Sequence, residues 1–283
     1  MNETTPTIDI LLAQATGILG TDSARLEAEI LLAACLDKPR SHLYAWPERK
    51  VEPRLQERFA ALVSRRALGE PIAYLLGQRE FWSLPLTVTP QTLIPRPETE
   101  TLLALALEKI PQDMPLRIAD LGTGTGAIAL VIARERPRSE VIATDISPAA
   151  LSVAKYNAER LGLDNVHFVC GSWCRAFTVD AFDFILSNPP YVAESDPHLR
   201  EGDLRFEPRN ALAAGPEGLD ALRRIIPGAH DRLRTGGWLI VEHGYDQGEK
   251  VMQLMRTQGF GRISDHPDAA GLSRVTRGQR CLS

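Results

Sequence analysis

Asp120-Leu121-Gly122-Thr123-Gly124-Thr125-Gly126-Ala127 joins an apolar run to a helical pattern, and its glycines permit a tight turn with close backbone approach of a ligand. The pattern alone admits two ligands. Gly122-x-Gly124-x-x-Ala127 satisfies the dinucleotide fingerprint, and Asp145 lies about where a ribose-holding carboxylate belongs, a need shared by NAD and S-adenosylmethionine. Asp120 tilts the balance: its charge repels a pyrophosphate but attracts a sulfonium and an ammonium, directly or through water. The bland alternative is that Asp120 only caps the glycine turn.

A second constellation, Ser187-Asn188-Pro189-Pro190-Tyr191, follows the apolar Phe184-Ile185-Leu186 at the carboxyl end of a strand, where open α/β sheets place ligands. Two prolines restrict this loop and remove local amide donors, leaving the Pro189 carbonyl an outward acceptor. The Asn188 side-chain oxygen adds another acceptor, and Tyr191 offers an aromatic wall for a planar group. Two converging acceptors hold both hydrogens of a substrate NH₂. A carboxamide or aromatic amine nitrogen is a poor nucleophile because its lone pair is delocalised, so in-line positioning near an electrophilic methyl supplies most of the help. No strong base is required, since the nitrogen becomes acidic as the new bond forms. In isolation the segment also reads as a proline-stiffened turn with a capping Asn.

These groups need a scaffold. After Pro115 the pattern repeats strand, glycine turn, helix: Leu116–Leu121, Ala127–Arg136, Glu140–Asp145, Pro148–Leu161 and Val166–Cys170, with further strands at Phe182–Ser187 and Trp238–Glu242. Helices are predicted at Leu219–Leu233 and Gln247–Gln258, and Phe260–Cys281 could add a final hairpin. Alternating βα units imply an α/β fold with a mostly parallel, doubly wound sheet. Residues 1–77 read differently, as a small bundle of amphipathic helices carrying Ile8, Leu11, Leu12, Ala15 and Ile18, then Leu26, Ile30, Leu31 and Ala34, then Leu55, Phe59, Leu62 and Val63. Residues 78–96, with Pro85, Pro90 and Pro95, read as an extended hairpin or linker, and residues 97–283 as the catalytic domain opening on a helix at Pro97-Glu98-Thr99-Glu100.

Composition narrows the function classes. The 283 residues carry 32 Lys+Arg against 36 Asp+Glu, a net charge of −4 that lacks the basic excess of a bulk nucleic-acid binder. Cys35, Cys170, Cys174 and Cys281 are too scattered for a disulfide framework, and neither they nor the histidines have metal-ligand spacing; a reduced compartment and no metal follow. The longest apolar run, Ala127–Ala133, is far too short to span a membrane, and Met1–Gly20 lacks the charged start and apolar block of a signal peptide, so a cytoplasmic place is expected.

Arg79-Glu80-Phe81-Trp82, Leu93 to Glu100, Asp120 to Gly126, Ser187 to Tyr191, and Phe206-Glu207-Pro208 with Ala211-Leu212 resemble the HemK-type peptide chain release factor glutamine methyltransferases over about residues 75–245, and the helical amino-terminal region fits as well. The resemblance implies a class I methyltransferase fold, a Rossmann-like doubly wound sheet, with an N-terminal substrate-recognition bundle. It implies transfer from S-adenosylmethionine to the glutamine N5 in the Gly-Gly-Gln loop of class 1 release factors, with S-adenosylhomocysteine as product. On that reading Asp120, Gly122, Thr123, Gly124, Thr125 and Gly126 wrap the cofactor, Asp145 holds its ribose and Trp173 packs by the adenine. Asn188, Pro189, Pro190 and Tyr191 clasp the glutamine amide, with Asn188 shared between cofactor and substrate. For Trp173 plain core is a rival reading. Arg96 and Glu98 are candidates for the partner's loop, Glu207 for the pocket wall or a surface turn, and His243 is left without a catalytic role. Three rival functions remain at this point: a DNA or RNA amino-methyltransferase, a glutamine methyltransferase of a ribosomal protein, and a non-catalytic adapter.

Overall fold

The computed structural model describes residues 5–281 and divides into two compact units, Met1–Gly77 and Gln78–Ser283. In the first, α1 (Ile8–Leu19), α2 (Ala24–Leu36), α3 (Arg40–Ala45), α4 (Pro53–Ala67) and α5 (Ile72–Leu76) enclose a core of Ile8, Leu12, Leu31, Leu32, Phe59 and Val63. Gly20 ends α1 at φ 59°, a left-handed stop that glycine adopts without strain. Ile18 and Leu26 are exposed rather than buried, because the apolar stripe turns toward Leu19 in α1 and runs through Ala24, Ala28 and Leu31 in α2. Two acids are buried on α2: Glu27 pairs with Arg66 at 2.8 Å, and Glu29 accepts from Arg25, Arg40 and Tyr44.

The second unit opens with an antiparallel hairpin, β1 (Gln78–Phe81) and β2 (Leu84–Thr87), turned by Trp82 and Ser83, both at positive φ. Residues 78–96 form no separate connector: Leu84 and Leu86 are fully buried in the same core as Leu102, Leu103 and Ile118. Then follow α6 (Thr99–Lys109), β3 (Arg117–Leu121), α7 (Ala127–Glu135), β4 (Glu140–Asp145), α8 (Pro148–Leu161), β5 (Val166–Cys170) and β6 (Phe182–Ser187). Short 3₁₀ turns lie between residues 197 and 211, and the chain closes with α9 (Asp220–Arg232), β7 (Leu233–Glu242), α10 (Gly248–Thr257), β8 (Phe260–Pro267) and β9 (Ser273–Arg280).

The seven-stranded sheet runs β5-β4-β3-β6-β7-β9-β8. Its first five strands are parallel, and the final hairpin is antiparallel, with the later strand β9 inserted beside β7. Strand order reverses at β3: the chain steps outward to β4 and β5, then returns to lay β6 on the other side. Two parallel strands whose loops leave in opposite directions open a crevice at their carboxyl ends. Leu121 and Ser187 are register partners across β3 and β6, so the glycine turn and the Asn188 loop emerge side by side. The Ser187 hydroxyl donates to the Leu121 carbonyl at 2.7 Å and ties the two exits together.

Candidate active site

Gly122, Gly124 and Gly126 all adopt positive φ, at 74°, 56° and 86°, which explains glycine at each. The turn hangs from β4: the Gly122 and Thr123 amides both donate to the Thr144 carbonyl at 2.8 Å. Asp145, at the end of β4, accepts from the Gly124 amide at 3.0 Å through Oδ2 and from the Ser147 amide at 2.9 Å through Oδ1. Both oxygens keep a second acceptor site, and Asp145 lines the cavity.

That cavity encloses about 310 Å³. Of the residues singled out in the sequence, Gly122, Gly124, Asp145, Trp173, Asn188 and Pro190 form its wall. Trp173, itself at φ 51°, presses its ring on the turn so closely that a Cβ on Gly122 would lie 3.1 Å from it. It is half-buried, packed on the apolar cluster around Ile225 while still facing the cavity, so the core and cavity readings both describe it.

Six other sequence candidates are absent from that wall. Asp120 is 1% exposed, and its Oδ2 accepts from the Thr123 hydroxyl at 2.6 Å and from the Ala129 amide at 3.1 Å, so it does cap the turn and the start of α7. Its Oδ1 is buried with no protein partner. Burial, with a smaller contribution from the charge of Asp145, pushes the Asp120 carboxyl up to about 7, against the hydrogen bonds from Thr123 and Ala129. Thr123 is committed to Asp120, and the Thr125 carbonyl accepts from Asn157 at 3.0 Å. A Cβ on Gly126 would lie 2.9 Å from the end of the Leu130 side chain and 3.3 Å from Ala154 Cβ, so close packing adds to its positive φ in favouring glycine. Pro189 is buried and its ring does not line the cavity. Tyr191 donates its hydroxyl to Glu242 Oε1 at 3.1 Å, and burial beside that acid raises the phenol well above its ordinary range. The expected aromatic wall is therefore not formed by Tyr191 in this cavity; Pro190, Leu93 and Pro208 line it instead.

Asn188 meets the requirement for an acceptor. Its Nδ2 donates to the Thr99 hydroxyl at 2.9 Å, which leaves Oδ1 as the free end of an amide on the cavity wall. Glu207 is buried, paired with Arg96 and accepting from the Ile94 amide at 3.0 Å. It thereby clamps the Leu93 to Glu98 segment from 111 residues away, rather than forming a surface turn. His243 is fully buried and bonds to Thr276, Asp265 and the Gly244 carbonyl, away from the cavity lining. Thr99, Asn157 and Glu242 escaped the sequence reading. The end-of-strand position of Glu242 was the one available signal, because bonds across 51 to 89 residues leave no periodic trace.

Could these residues hold a sulfonium nucleoside? A carboxylate with open acceptor sites at the end of β4, an aromatic face at Trp173 and a buried acid oxygen without a partner behind the turn match a ribose diol, a base and a cationic centre. Among the described residues, no three His, Cys, Asp or Glu side chains gather as a metal site would require.

Comparison with known proteins supplies the family. Residues 10–77 match the PrmC N-terminal domain and residues 99–202 the Methyltransferase small domain. The release factor glutamine methyltransferase of Coxiella burnetii is 51% identical over 256 residues, covering 90% of this chain and 92% of that protein. The Escherichia coli K12 protein of the same name is 46% identical over 259 residues, covering 92% and 93%. Among solved structures, the hMettl16 catalytic domain superposes with TM-score 0.57 at 18% identity, covering 79% of this chain and 80% of that one. A Pyrococcus furiosus methyltransferase superposes with TM-score 0.54 at 16% identity, covering 80% and 99%. The structural likenesses confirm the class I methyltransferase α/β fold, and the sequence identity sustained over nine-tenths of the chain decides the rest: this chain belongs to the release factor glutamine methyltransferase family.

Proposed function

We propose that this chain transfers the methyl group of S-adenosylmethionine to the side-chain amide nitrogen, N5, of the glutamine in the Gly-Gly-Gln loop of class 1 peptide chain release factors, in the cytoplasm. The observation that carries this reading is the Asn188 amide on the cavity wall, its nitrogen taken by Thr99 and its oxygen left to accept from a substrate NH₂. Bound S-adenosylmethionine supplies an electrophilic methyl carbon and leaves as S-adenosylhomocysteine. On this reading Gly122 and Gly124 admit the cofactor to the backbone, Asp145 holds the ribose hydroxyls and Trp173 packs by the adenine. When ionised, the unpartnered Asp120 oxygen sets a negative potential behind the turn, which favours a cation there.

On this reading Asn188 Oδ1 accepts one hydrogen of the glutamine amide and the main-chain carbonyl of Pro189, whose ring is off the cavity wall, would accept the other, which would hold the nitrogen in line with the methyl carbon that S-adenosylmethionine supplies when bound. As N–C forms and C–S breaks, the nitrogen sheds one proton to solvent, with no dedicated base. The acceptors stabilise positive charge developing on that nitrogen, a preorganised arrangement requiring little reorganisation at the moment of reaction. The helical unit, residues 1–77, serves recognition of the protein substrate, and a net charge of −4 disfavours stable nucleic-acid binding.

The test is transfer of labelled methyl from S-adenosylmethionine to three acceptors side by side: a class 1 release factor, a ribosomal protein and an oligonucleotide. Label is expected in the release factor and to vanish when its loop glutamine is replaced. Asn188→Ala is expected to lower kcat about a hundredfold with a much smaller change in cofactor affinity, as loss of positioning should. Equal labelling of the glutamine-replaced release factor defeats the substrate assignment.

A further inference from the structure

Glu242 closes β7 at 0% exposure, and its Oε2 has no hydrogen-bonding partner, although a carboxylate buried without full partners is costly. Its other oxygen accepts from the Tyr191 hydroxyl at 3.1 Å. The hydroxyl of Thr99, the first residue of α6, accepts from Asn188 Nδ2 at 2.9 Å and lies near the same carboxylate, whose charged form it favours. One buried acid therefore reaches both ends of the Asn188–Tyr191 loop, through one intermediary at one end and directly at the other.

We propose that Glu242 is a positioning residue for methyl transfer, acting through Thr99 to keep the Asn188 amide oxygen toward the substrate and through Tyr191 to anchor the loop's far end. The inference rests on the functional reading above. Its logic is donor and acceptor counting. An ionised carboxylate only accepts, so the single hydroxyl hydrogen of Thr99 is drawn to Glu242 and the hydroxyl offers lone pairs to Asn188. Only Nδ2 can meet a lone pair. A reversed amide would set Oδ1 against that lone pair and present NH₂ to the substrate's NH₂, replacing an acceptor with a donor. A protonated Glu242 gives its own hydrogen to Thr99 Oγ1, freeing the hydroxyl hydrogen to bond Asn188 Oδ1, and the preference for one amide orientation is lost.

Burial pushes the Glu242 carboxyl up to about 7, opposed by the Thr99 hydroxyl, the hydrogen bond from Tyr191 and the charge of Arg274, and assisted by Glu98. The charged and titratable groups facing it are thus Tyr191 on the loop, Glu98 ahead of α6 and Arg274 on β9, the last paired with Asp268 at 3.0 Å. The adjacent His243 directs its ring to Asp265, Thr276 and Gly244 instead. The ionised form is the active one, so kcat falls as pH drops below about 7.

The experiment measures kcat and KM of the full-length chain and of Glu242→Gln, Thr99→Val and Thr99→Ser, with a class 1 release factor, across about pH 6 to 9. Saturating S-adenosylmethionine keeps titration of Asp120, behind the glycine turn, from entering kcat through cofactor binding. Thr99→Val is expected to lower kcat about a hundredfold at pH 8 and to lose the acid limb of the profile, whereas Glu242→Gln, which keeps an oxygen for Tyr191 and Thr99 but cannot titrate, is expected to keep kcat near wild type at pH 8 and to lose the acid limb; cofactor affinity and Tm stay near wild type in both. Thr99→Ser restores the hydroxyl and brings back both kcat and the acid limb. A wild-type acid limb in Glu242→Gln overturns the relay alone, as does a fall in cofactor affinity and Tm that accounts for the lost activity of Thr99→Val. A wild-type chain that leaves the release factor unmethylated overturns the functional reading and the relay with it.

Discussion

Asp120 and Glu242 are both buried acids with one oxygen lacking a protein partner, yet they stand behind different loops and carry different consequences. Glu242 bears on the Asn188–Tyr191 loop, whereas Asp120 stands behind the glycine turn and bears on the stability of the chain. With the Asp120 carboxyl raised from 3.8 to about 7, the folded chain keeps a proton that the unfolded chain releases across that interval. Its contribution to stability is complete below about pH 4 and is lost as pH rises through about 7. Asp120→Asn retains an oxygen for Thr123 and Ala129 but has no charge to bury. Melting followed at several pH values is therefore expected to show the Tm of Asp120→Asn, relative to wild type, rising by about 3–5 °C between pH 4 and pH 8. A constant difference between the two Tm curves would show that Asp120 does not titrate there.

At the scale of elements, the site is an assembly of segments fastened by single buried side chains. Asn157 of α8, at 0% exposure, donates to the carbonyls of Thr87 and Thr125 at 3.0 Å and accepts from the Thr87 amide at 2.8 Å. It joins the hairpin's second strand to the glycine turn, a connection that backbone pairing does not provide. Asn157→Ala leaves three backbone groups, the buried Thr125 carbonyl and the half-buried amide and carbonyl of Thr87, without this partner, and a loss of about 2 kcal/mol in unfolding free energy is expected in urea titration. The Thr125 peptide sits inside the turn, so the same variant should also raise KM for S-adenosylmethionine. Arg96 and Glu207 do comparable work on the other side, holding the segment that carries Leu93 to the cavity.

On the scale of the whole molecule, the chain combines a sheet that builds the site with a helical unit that has its own core. Removing residues 1–77 is expected to raise KM for the release factor about tenfold or more while S-adenosylmethionine binding stays measurable by calorimetry, a division that follows if recognition and chemistry belong to separate units. An unchanged KM for the protein substrate would assign recognition elsewhere. The glycine turn, the Asn188–Tyr191 loop and the alternation of strands and helices were legible in the sequence, because backbone conformation and amphipathic period are properties of neighbouring residues. That legibility ended at contacts between distant segments. Whether Asp120 faces the ligand or lies beneath the turn, whether Tyr191 forms a wall or an anchor, and which acid meets Thr99 depend on how β3, β6 and β7 are ordered in the sheet. A buried polar group takes its partner from whatever segment packing brings within about 3 Å, so folding alone decided those pairings.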